Sequence, residues 1–186
     1  MQIVVEECRR HVHLTERAAQ WLFNEPMEYG IKKVLSVGGE TATQARVKLP
    51  NGMKATLVKP FRPYDQLEVG ETEYREIFGA DATDEPRASG HHEGARYIKV
   101  TGTSGYDWAI AVIIPEPHIH VSPKYKGKLE SLDGFLQVRD EWYYGLRIGD
   151  FELPCRVCWH VTHEDKAYIH LDVDWFKEWS NQDEKN

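Results

Sequence analysis

The sequence lacks any apolar stretch long enough to cross a membrane, because no run of about 18 consecutive apolar residues occurs among its 186 residues. It also lacks the apolar core of a signal peptide at its start, where MQIVVEECRR carries charged residues instead. These two absences predict a cytoplasmic protein that contacts no membrane.

Cysteine and positive charge are scarce as well. Three cysteines are an odd number and do not form a disulfide framework, so we expect them to be reduced or bound to metal. Lysine and arginine total 23 against 30 acidic residues, which gives a net charge of -7. A nucleic-acid partner is therefore disfavoured, since phosphate backbones require a basic face. Small molecules are the expected partners, and a local basic cluster could still bind a small anion.

The sequence is rich in short segments of β-branched and aromatic residues, separated by Gly, Pro, Asn or Asp. This spacing predicts a mainly β protein, either a barrel or a sandwich, and 41% hydrophobic residues suffice for its core. The predicted strands are QIVVEE, QARVKL, KATLVK, RYIKVTG, WAIAVII, FLQVRD, WYYGLRI, ELPCRVCW and AYIHLDV.

Helices are predicted to be few and short. Thr15 is the expected N-cap of ERAAQWLF, and Ser122 followed by Pro123 predicts the same kind of cap further along the chain. Two more helices are predicted over GETEYREIFG and over DVDWFKEWS, the latter capped by Asp172 or Asp174. GADATDEPRASGHHEGA has no apolar periodicity, so we expect a surface loop or a lid there.

Two histidine pairs, in RRHVHLTE and PEPHIHVSP, repeat one pattern ahead of the predicted caps. Residues i and i+2 of a strand share one face, so either pair could bind one metal ion. When QLEVGETEYREIF is aligned with YIHLDVDWFKEWS, Glu68 corresponds to His170, so each half has a third candidate ligand. The halves therefore look duplicated, with two three-ligand sites typical of catalytic zinc. The sites are His11, His13 and Glu68, and His118, His120 and His170. The alternative is that these histidines are ordinary half-buried strand residues.

Other polar residues are weaker candidates. His91 and His92 are adjacent, so they point apart and are expected to be solvated. CRVCWHVTH resembles a compressed string of zinc ligands, but four ligands within nine residues of one strand cannot surround one ion. Cys158 and His160 do share a face and could take part in a weaker site. The roles of the four residues in this string stay open: Cys155, Cys158, His160 and His163.

Four motifs in one order, RHVHLT, KPFRPYDQLEVGETEYREIFG, PHIHVSP and YIHLDVDWF, resemble the phosphate propanoyltransferase family. These enzymes are the phosphotransacylases of bacterial propanediol-utilisation operons, and the resemblance covers nearly the whole chain. It implies two interleaved β-barrels with short capping α-helices. One barrel would comprise residues 10–116, and the other residues 1–9 with 117–186. The implied reaction converts acyl-CoA and phosphate reversibly into acyl phosphate and CoA.

The resemblance also implies roles for individual residues. The family carries two zinc ions in one site, which assigns the first ion to the trio containing Glu68 and the second to the trio containing His170. Arg62 would hold the phosphate, since its planar guanidinium matches phosphate oxygens in two hydrogen bonds. The family's cysteine ligand directly before the second histidine pair is replaced here by Pro117. Cys8 is a candidate replacement ligand for the first zinc.

Three functions remain open at this point. The first is the phosphotransacylase, with acyl-CoA, CoA and phosphate as its partners. The second is a zinc-dependent thioesterase or other hydrolase, because three-ligand sites with an open position serve both chemistries. The third is a non-catalytic acyl-CoA or metal binder, suggested by Pro117.

The sequence pattern leaves the acyl chain, the pathway and the direction of reaction open. Family members housed in bacterial microcompartments carry an N-terminal encapsulation helix, whereas MQIVV starts in a predicted strand. We therefore expect a protein that is free in the cytoplasm. A homodimer is the working expectation, as the commonest closed assembly.

Overall fold

The computed structural model describes residues 1–185, except for the side chains of residues 27 and 28. Contacts divide the chain into two compact units. The first unit comprises Met1–Cys8, Ser36–Gly38 and the chain from Glu116 onward, and the second comprises Arg9–Leu35 and Gly39–Pro115. None of the helices in the described residues has the length and apolar character needed to span a membrane.

The described part of the chain is mainly β, as predicted, with two sheets. The strands are β1 Ile3–Cys8, β2 His11–His13, β3 Ile31–Val34, β4 Thr41–Lys48, β5 Lys54–Lys59, β6 Gln66–Glu68, β7 Arg96–Thr101, β8 Asp107–Ile113, β9 His118–Val121, β10 Phe135–Val138, β11 Glu141–Ile148, β12 Phe151–Trp159 and β13 Ala167–Asp172. The α-helices are α1 Glu16–Leu22, α2 Glu71–Phe78 and α3 Val173–Asp183. Single turns of 3₁₀ helix cover Pro26–Tyr29, Pro123–Tyr125, Leu129–Ser131 and His163–Asp165.

All nine predicted strands are present, and both histidine pairs lie on strands. Alternation of buried and exposed side chains explains why the prediction succeeded. In β4, Ala45 and Val47 are buried, whereas their neighbours Gln44, Arg46 and Lys48 are exposed. β3 was not predicted, because its four residues, IKKV, are all exposed and give no alternating pattern.

The first unit contains a six-stranded sheet in the order β1-β13-β9-β12-β11-β10. The short strand β9 lies between β12, to which it is parallel, and β13, to which it is antiparallel. Apolar side chains from these strands form the core, and aromatic side chains of α3 pack against it. The core is centred on Ile119, Val121, Leu129, Leu146, Ile148, Leu153, Cys155, Val157, Ala167, Ile169 and Leu171.

The second unit contains a seven-stranded sheet in the order β3-β4-β5-β2-β6-β8-β7, with one further pair, Lys48 with Thr101, joining β4 to β7. Here the short strand β2 lies between the parallel β5 and the antiparallel β6. The order β5-β2-β6-β8 therefore repeats β12-β9-β13-β1, with the same parallel and antiparallel steps. In each unit the histidine pair occupies the short strand at the centre of this repeat.

Helix caps agree with the predictions at two positions and differ at a third. Thr15 accepts a hydrogen bond from the backbone N–H of Ala18 at 3.1 Å and begins α1. Asp172, rather than Asp174, begins α3. Ser122 makes no such side-chain hydrogen bond, and one turn of 3₁₀ helix follows it. Ser122 thus lies at the predicted cap position with Pro123 first in the turn, but the hydrogen bond that would make the cap equivalent to Thr15 is absent.

Replacing Asp172 by alanine should lower the free energy of unfolding by about 1–2 kcal/mol, the usual cost of losing an N-cap. Its carboxylate accepts hydrogen bonds from the N–H groups of Asp174 and Trp175, both at 2.9 Å. Urea denaturation of Asp172→Ala and Asp172→Asn measures the effect, since asparagine caps helices about as well as aspartate. An equal loss in both variants would show that the charge matters rather than the cap.

Candidate metal sites

The first predicted trio converges to a tight cluster in the second unit. His11 of β2 pairs in register with Glu68 of β6, and His13 lies two residues further along the same face of β2. The Nε2 atoms of His11 and His13 are 3.1 Å apart. Each of them lies 3.0 Å from Oε2 of Glu68. Three donor atoms thus form a nearly equilateral triangle.

These spacings fit one shared metal ion. Zinc bonds of about 2.0–2.1 Å in tetrahedral geometry place ligand atoms about 3.3 Å apart. Burial alone would raise the pKa of the Glu68 carboxyl, but the charges of His11 and His13 and their hydrogen bonds outweigh it and hold that pKa well below its ordinary value. Glu68 is therefore an anion at neutral pH, the form in which a carboxylate binds metal.

Backbone carbonyls orient one histidine of each pair in the same way. Nδ1 of His11 lies 2.8 Å from the carbonyl oxygen of Arg9, and Nδ1 of His118 lies 2.8 Å from that of Glu116. A carbonyl only accepts, so Nδ1–H donates to it, and a metal would replace the proton on Nε2, where the coordinating lone pair lies. The two units thus repeat one contact, in which the first histidine of the pair bonds to the backbone carbonyl two positions before it.

Gln66 is a site residue that the sequence reasoning missed. It is fully buried, and its Nε2 donates to Oε2 of Glu68 at 3.1 Å and to Oγ of Ser89 at 2.8 Å. Its Oε1 accepts from the backbone N–H of Gly90 and from Nε2–H of His92, both at 2.9 Å. The signal was available, because Gln66 lies two residues before Glu68 and shares its face of β6.

This network corrects the expectation for the two adjacent histidines. His91 is exposed, as predicted, whereas His92 is half-buried and bonded to Gln66, so the prediction of a solvated side chain is wrong for His92. Burial lowers the pKa of His92, and the Arg87 guanidinium lowers it further. The loop that carries His92 is therefore tied to a side chain that also contacts Glu68.

The second predicted trio converges in the first unit. His118 and His120 lie on β9, and His170 of β13 pairs in register with His118. Ring centroids are 4.8 Å apart for His118 and His120, 5.3 Å for His118 and His170, and 4.6 Å for His120 and His170. One nitrogen from each ring lies within 4.8 Å of the other two, a grouping that could hold a metal ion.

The residues of CRVCWHVTH do not gather at one point. Cys155 is fully buried in the core, where burial raises the pKa of its thiol to about 12, so it stays protonated and unreactive. Cys158 is half-buried on the same strand. The His160 ring lies 5.0 Å from the His120 ring, next to the second trio. The side chain of His163 is 64% exposed.

Arg62, the predicted phosphate-binding residue, is paired with a carboxylate. Its guanidinium Nη2 forms an ion pair with Oε1 of Glu40, and its backbone N–H donates to the carbonyl oxygen of Leu14 at 2.8 Å. The side chain is 26% exposed, and its Nε is buried without a hydrogen-bond partner among the described residues. A planar cation held by a carboxylate can exchange that partner for phosphate.

Neighbouring basic residues are engaged elsewhere. Arg10 forms an ion pair with Glu73 at 2.6 Å and donates to the carbonyl oxygen of Lys54 at 2.7 Å. The ammonium of Lys59 lies 5.0 Å from the centre of the Phe61 ring. These contacts favour structural roles and leave Arg62 as the strongest anion-binding candidate among these residues.

Two further predictions concern ligands around the histidine pairs. Cys8 is the last residue of β1, half-buried and outside any disulfide, and its role as a ligand stays a prediction. The carbonyl oxygen of Pro117 accepts from the backbone N–H of Arg156 at 3.1 Å. Pro117 has no side-chain donor, so it cannot replace a cysteine ligand.

Comparisons with known proteins give matches to one family. A sequence model described as phosphate propanoyltransferase matches residues 4–175, a range that contains both trios and Arg62. The chain is similar to the phosphate propanoyltransferase of Levilactobacillus brevis, with 26% identity over 92% of this chain and 73% of that protein. The protein of that name from Clostridioides difficile is 29% identical over 92% of this chain and 81% of its own length. The one from Sebaldella termitidis is 30% identical over 93% of this chain and 81% of its own length.

Proposed function

Because the chain belongs to the phosphate propanoyltransferase family, we propose that it is a phosphotransacylase that interconverts short-chain acyl-CoA plus phosphate with acyl phosphate plus CoA. The observation that carries this proposal is the convergence of both ligand trios within the matched range. We assign one zinc ion to each trio, and we treat CoA as a substrate. The first ion would be held by His11, His13 and Glu68, and the second by His118, His120 and His170.

In the forward reaction a phosphate oxygen attacks the thioester carbonyl carbon. The new carbon–oxygen bond gives acyl phosphate, and the carbon–sulfur bond breaks so that CoA leaves as a thiolate that takes up a proton. Bound zinc would polarise the carbonyl and stabilise the departing thiolate. With phosphate as the nucleophile, the reaction requires no covalent acyl intermediate on a side chain.

Arg62 is the residue we assign to phosphate. Its guanidinium keeps its charge at every working pH and can donate two parallel hydrogen bonds, which fixes the orientation of the attacking oxygen. In the structure Glu40 occupies part of this donor set. Phosphate binding would therefore loosen or share the contact between Arg62 and Glu40.

The same proposal includes the two β-barrels, the cellular location and the oligomeric state. We assign residues 10–116 to one β-barrel and residues 1–9 with 117–186 to the other. The pair of Lys48 with Thr101, which joins β4 to β7, supports closure of the sheet in the second unit. We further expect a cytoplasmic homodimer.

The test is the thioester absorbance of propanoyl-CoA with zinc-loaded protein, measured with and without phosphate. The proposal predicts a phosphate-dependent decrease that stops at equilibrium and reverses when CoA is added. Loss that runs to completion without phosphate would mean a thioesterase. No loss with any acyl-CoA from two to six carbons, despite tight binding of acyl-CoA, would mean a non-catalytic binder. Protein stripped of metal and then reloaded serves as the control.

A further inference from the structure

The carboxylate of Glu6 lies beside the second trio. Glu6 of β1 pairs in parallel register with His170 of β13. Paired residues on neighbouring strands project to the same face of a sheet. Oε2 of Glu6 accordingly lies 3.1 Å from Nε2 of His170. All of these residues belong to the first unit.

Ser36 holds this carboxylate in place. Its Oγ donates to Oε2 of Glu6 at 2.7 Å and lies 3.2 Å from Nε2 of His170. The segment Ser36–Gly38 is itself anchored, because the N–H of Gly38 donates to the carbonyl oxygen of Val161 at 2.7 Å. The carbonyl oxygen of Ser36 also accepts from the N–H of His163 at 2.7 Å. The hydroxyl therefore approaches Glu6 from a fixed backbone.

The spacing between Glu6 and His170 matches that of two ligands on one ion. It equals the 3.0–3.1 Å separations among the donor atoms of His11, His13 and Glu68. Three neutral imidazoles leave a divalent ion with its full charge, and a carboxylate would offset part of that charge. A serine that donates to a ligating carboxylate is a typical outer-sphere partner.

We propose that Glu6 is a fourth ligand of the metal bound by His118, His120 and His170, and that Ser36 is a positioning residue that orients it. This inference rests on the proposed function, which assigns a metal to that trio. Four protein ligands fill a tetrahedral zinc site, whereas three leave one position open. Glu6 would then give the second site four protein donors, against three in the trio that contains Glu68.

A simpler role for Glu6 would be that of a hydrogen-bond acceptor that orients His170. The two roles respond differently to glutamine, because the Gln side chain still accepts a hydrogen bond but has lost the anionic oxygen that binds zinc. Glu6→Gln is therefore the informative variant. Glu7→Gln is the matched control, since Glu7 is the next residue on β1 and projects to the opposite face.

The experiment uses cobalt(II) on the full chain, because cobalt accepts zinc ligands and its visible absorption reports the ligand set. His13→Ala disables the first trio, so that the second can be measured alone. In this background we expect Glu6→Gln to weaken cobalt binding by more than about 100-fold, beyond the range of about 10–100-fold typical of outer-sphere partners, and to change the absorption bands. Glu7→Gln should leave both unchanged. Far-UV circular dichroism checks folding.

The results distinguish failure of the ligand role of Glu6 from failure of the metal assignment of the second trio. Unchanged cobalt bands in Glu6→Gln, at any affinity, would make Glu6 a hydrogen-bond partner only and overturn the inference. If the His13→Ala protein with Glu6 intact binds no cobalt, then both the metal assignment of the second trio and the inference fail. Altered bands with weakened binding support Glu6 as a ligand.

Discussion

Replacing Arg62 by alanine should lower kcat/KM for phosphate by about 10²–10³-fold, the usual cost of removing one preorganised charge-stabilising donor. The loss should appear mainly in the phosphate dependence, with metal content and far-UV circular dichroism unchanged. Arg62→Lys should recover only part of the loss, because an ammonium keeps the charge but lacks the planar pair of donors. Initial rates at varied phosphate and fixed propanoyl-CoA provide the measurement.

The ion pair between Glu40 and Arg62 allows a second test of phosphate binding at Arg62. In the structure the carboxylate of Glu40 forms an ion pair with Nη2 of Arg62. Glu40→Gln should therefore lower KM for phosphate, because a neutral amide competes less well than a carboxylate for the guanidinium. An unchanged KM would mean that phosphate binds without disturbing this pair.

Arg10 is the matched control for Arg62. It is also an arginine of the second unit with an ion-paired guanidinium, here bonded to Glu73. Arg10→Ala should reduce stability, because it leaves Glu73, which is nearly buried, without its cation. KM for phosphate should not change. An equal effect of Arg10→Ala and Arg62→Ala on KM would contradict the specific role of Arg62 and point to a general effect of positive charge.

Both histidine pairs could be predicted from a local rule, and their third ligands, Glu68 and His170, from the correspondence between the two halves. Alternation along a strand puts His11 and His13 on one face, and a repeated histidine motif implies a repeated environment. The structure adds the register that pairs His11 with Glu68 and His118 with His170. Strands could be located from β-branched and aromatic runs between turn residues, which is why β3, with four exposed residues, escaped prediction.

The missed contacts depend on pairings between distant parts of the chain. Glu6 and His170 are separated by 164 positions, and Ser36 and His170 by 134, so no local period relates them. Glu40 and Arg62 meet through side chains from separate segments, 22 positions apart. A sequence pattern identifies which face a residue occupies, whereas the identity of its neighbour requires the strand order and register.

The other large effect should come from Glu68. Glu68→Gln keeps the size of the side chain but replaces the anionic donor, so we expect the protein to lose the metal of the first trio. Activity should fall by about 10³-fold or more, since a catalytic metal contributes several kcal/mol of transition-state stabilisation. Zinc stoichiometry measured by inductively coupled plasma mass spectrometry, together with the propanoyl-CoA assay, tests both expectations. Removing metal from the unmodified protein with a chelator should reproduce the loss of activity. Adding zinc back should restore activity to the unmodified protein but not to Glu68→Gln.

Glu73 provides the control, because it is a buried glutamate that belongs to neither trio. It is 7% exposed against 6% for Glu68, and both belong to the second unit. Its Oε1 accepts from the backbone N–H of Gly70 at 3.1 Å, and its Oε2 pairs with Arg10. Glu73→Gln should therefore lower the free energy of unfolding while keeping the full complement of zinc. If Glu73→Gln loses as much zinc as Glu68→Gln, then a general loss of structure explains both results and the ligand role of Glu68 is wrong. If Glu68→Gln retains all of its zinc yet loses activity, the carboxylate acts on the substrate and the first metal must be held by other residues.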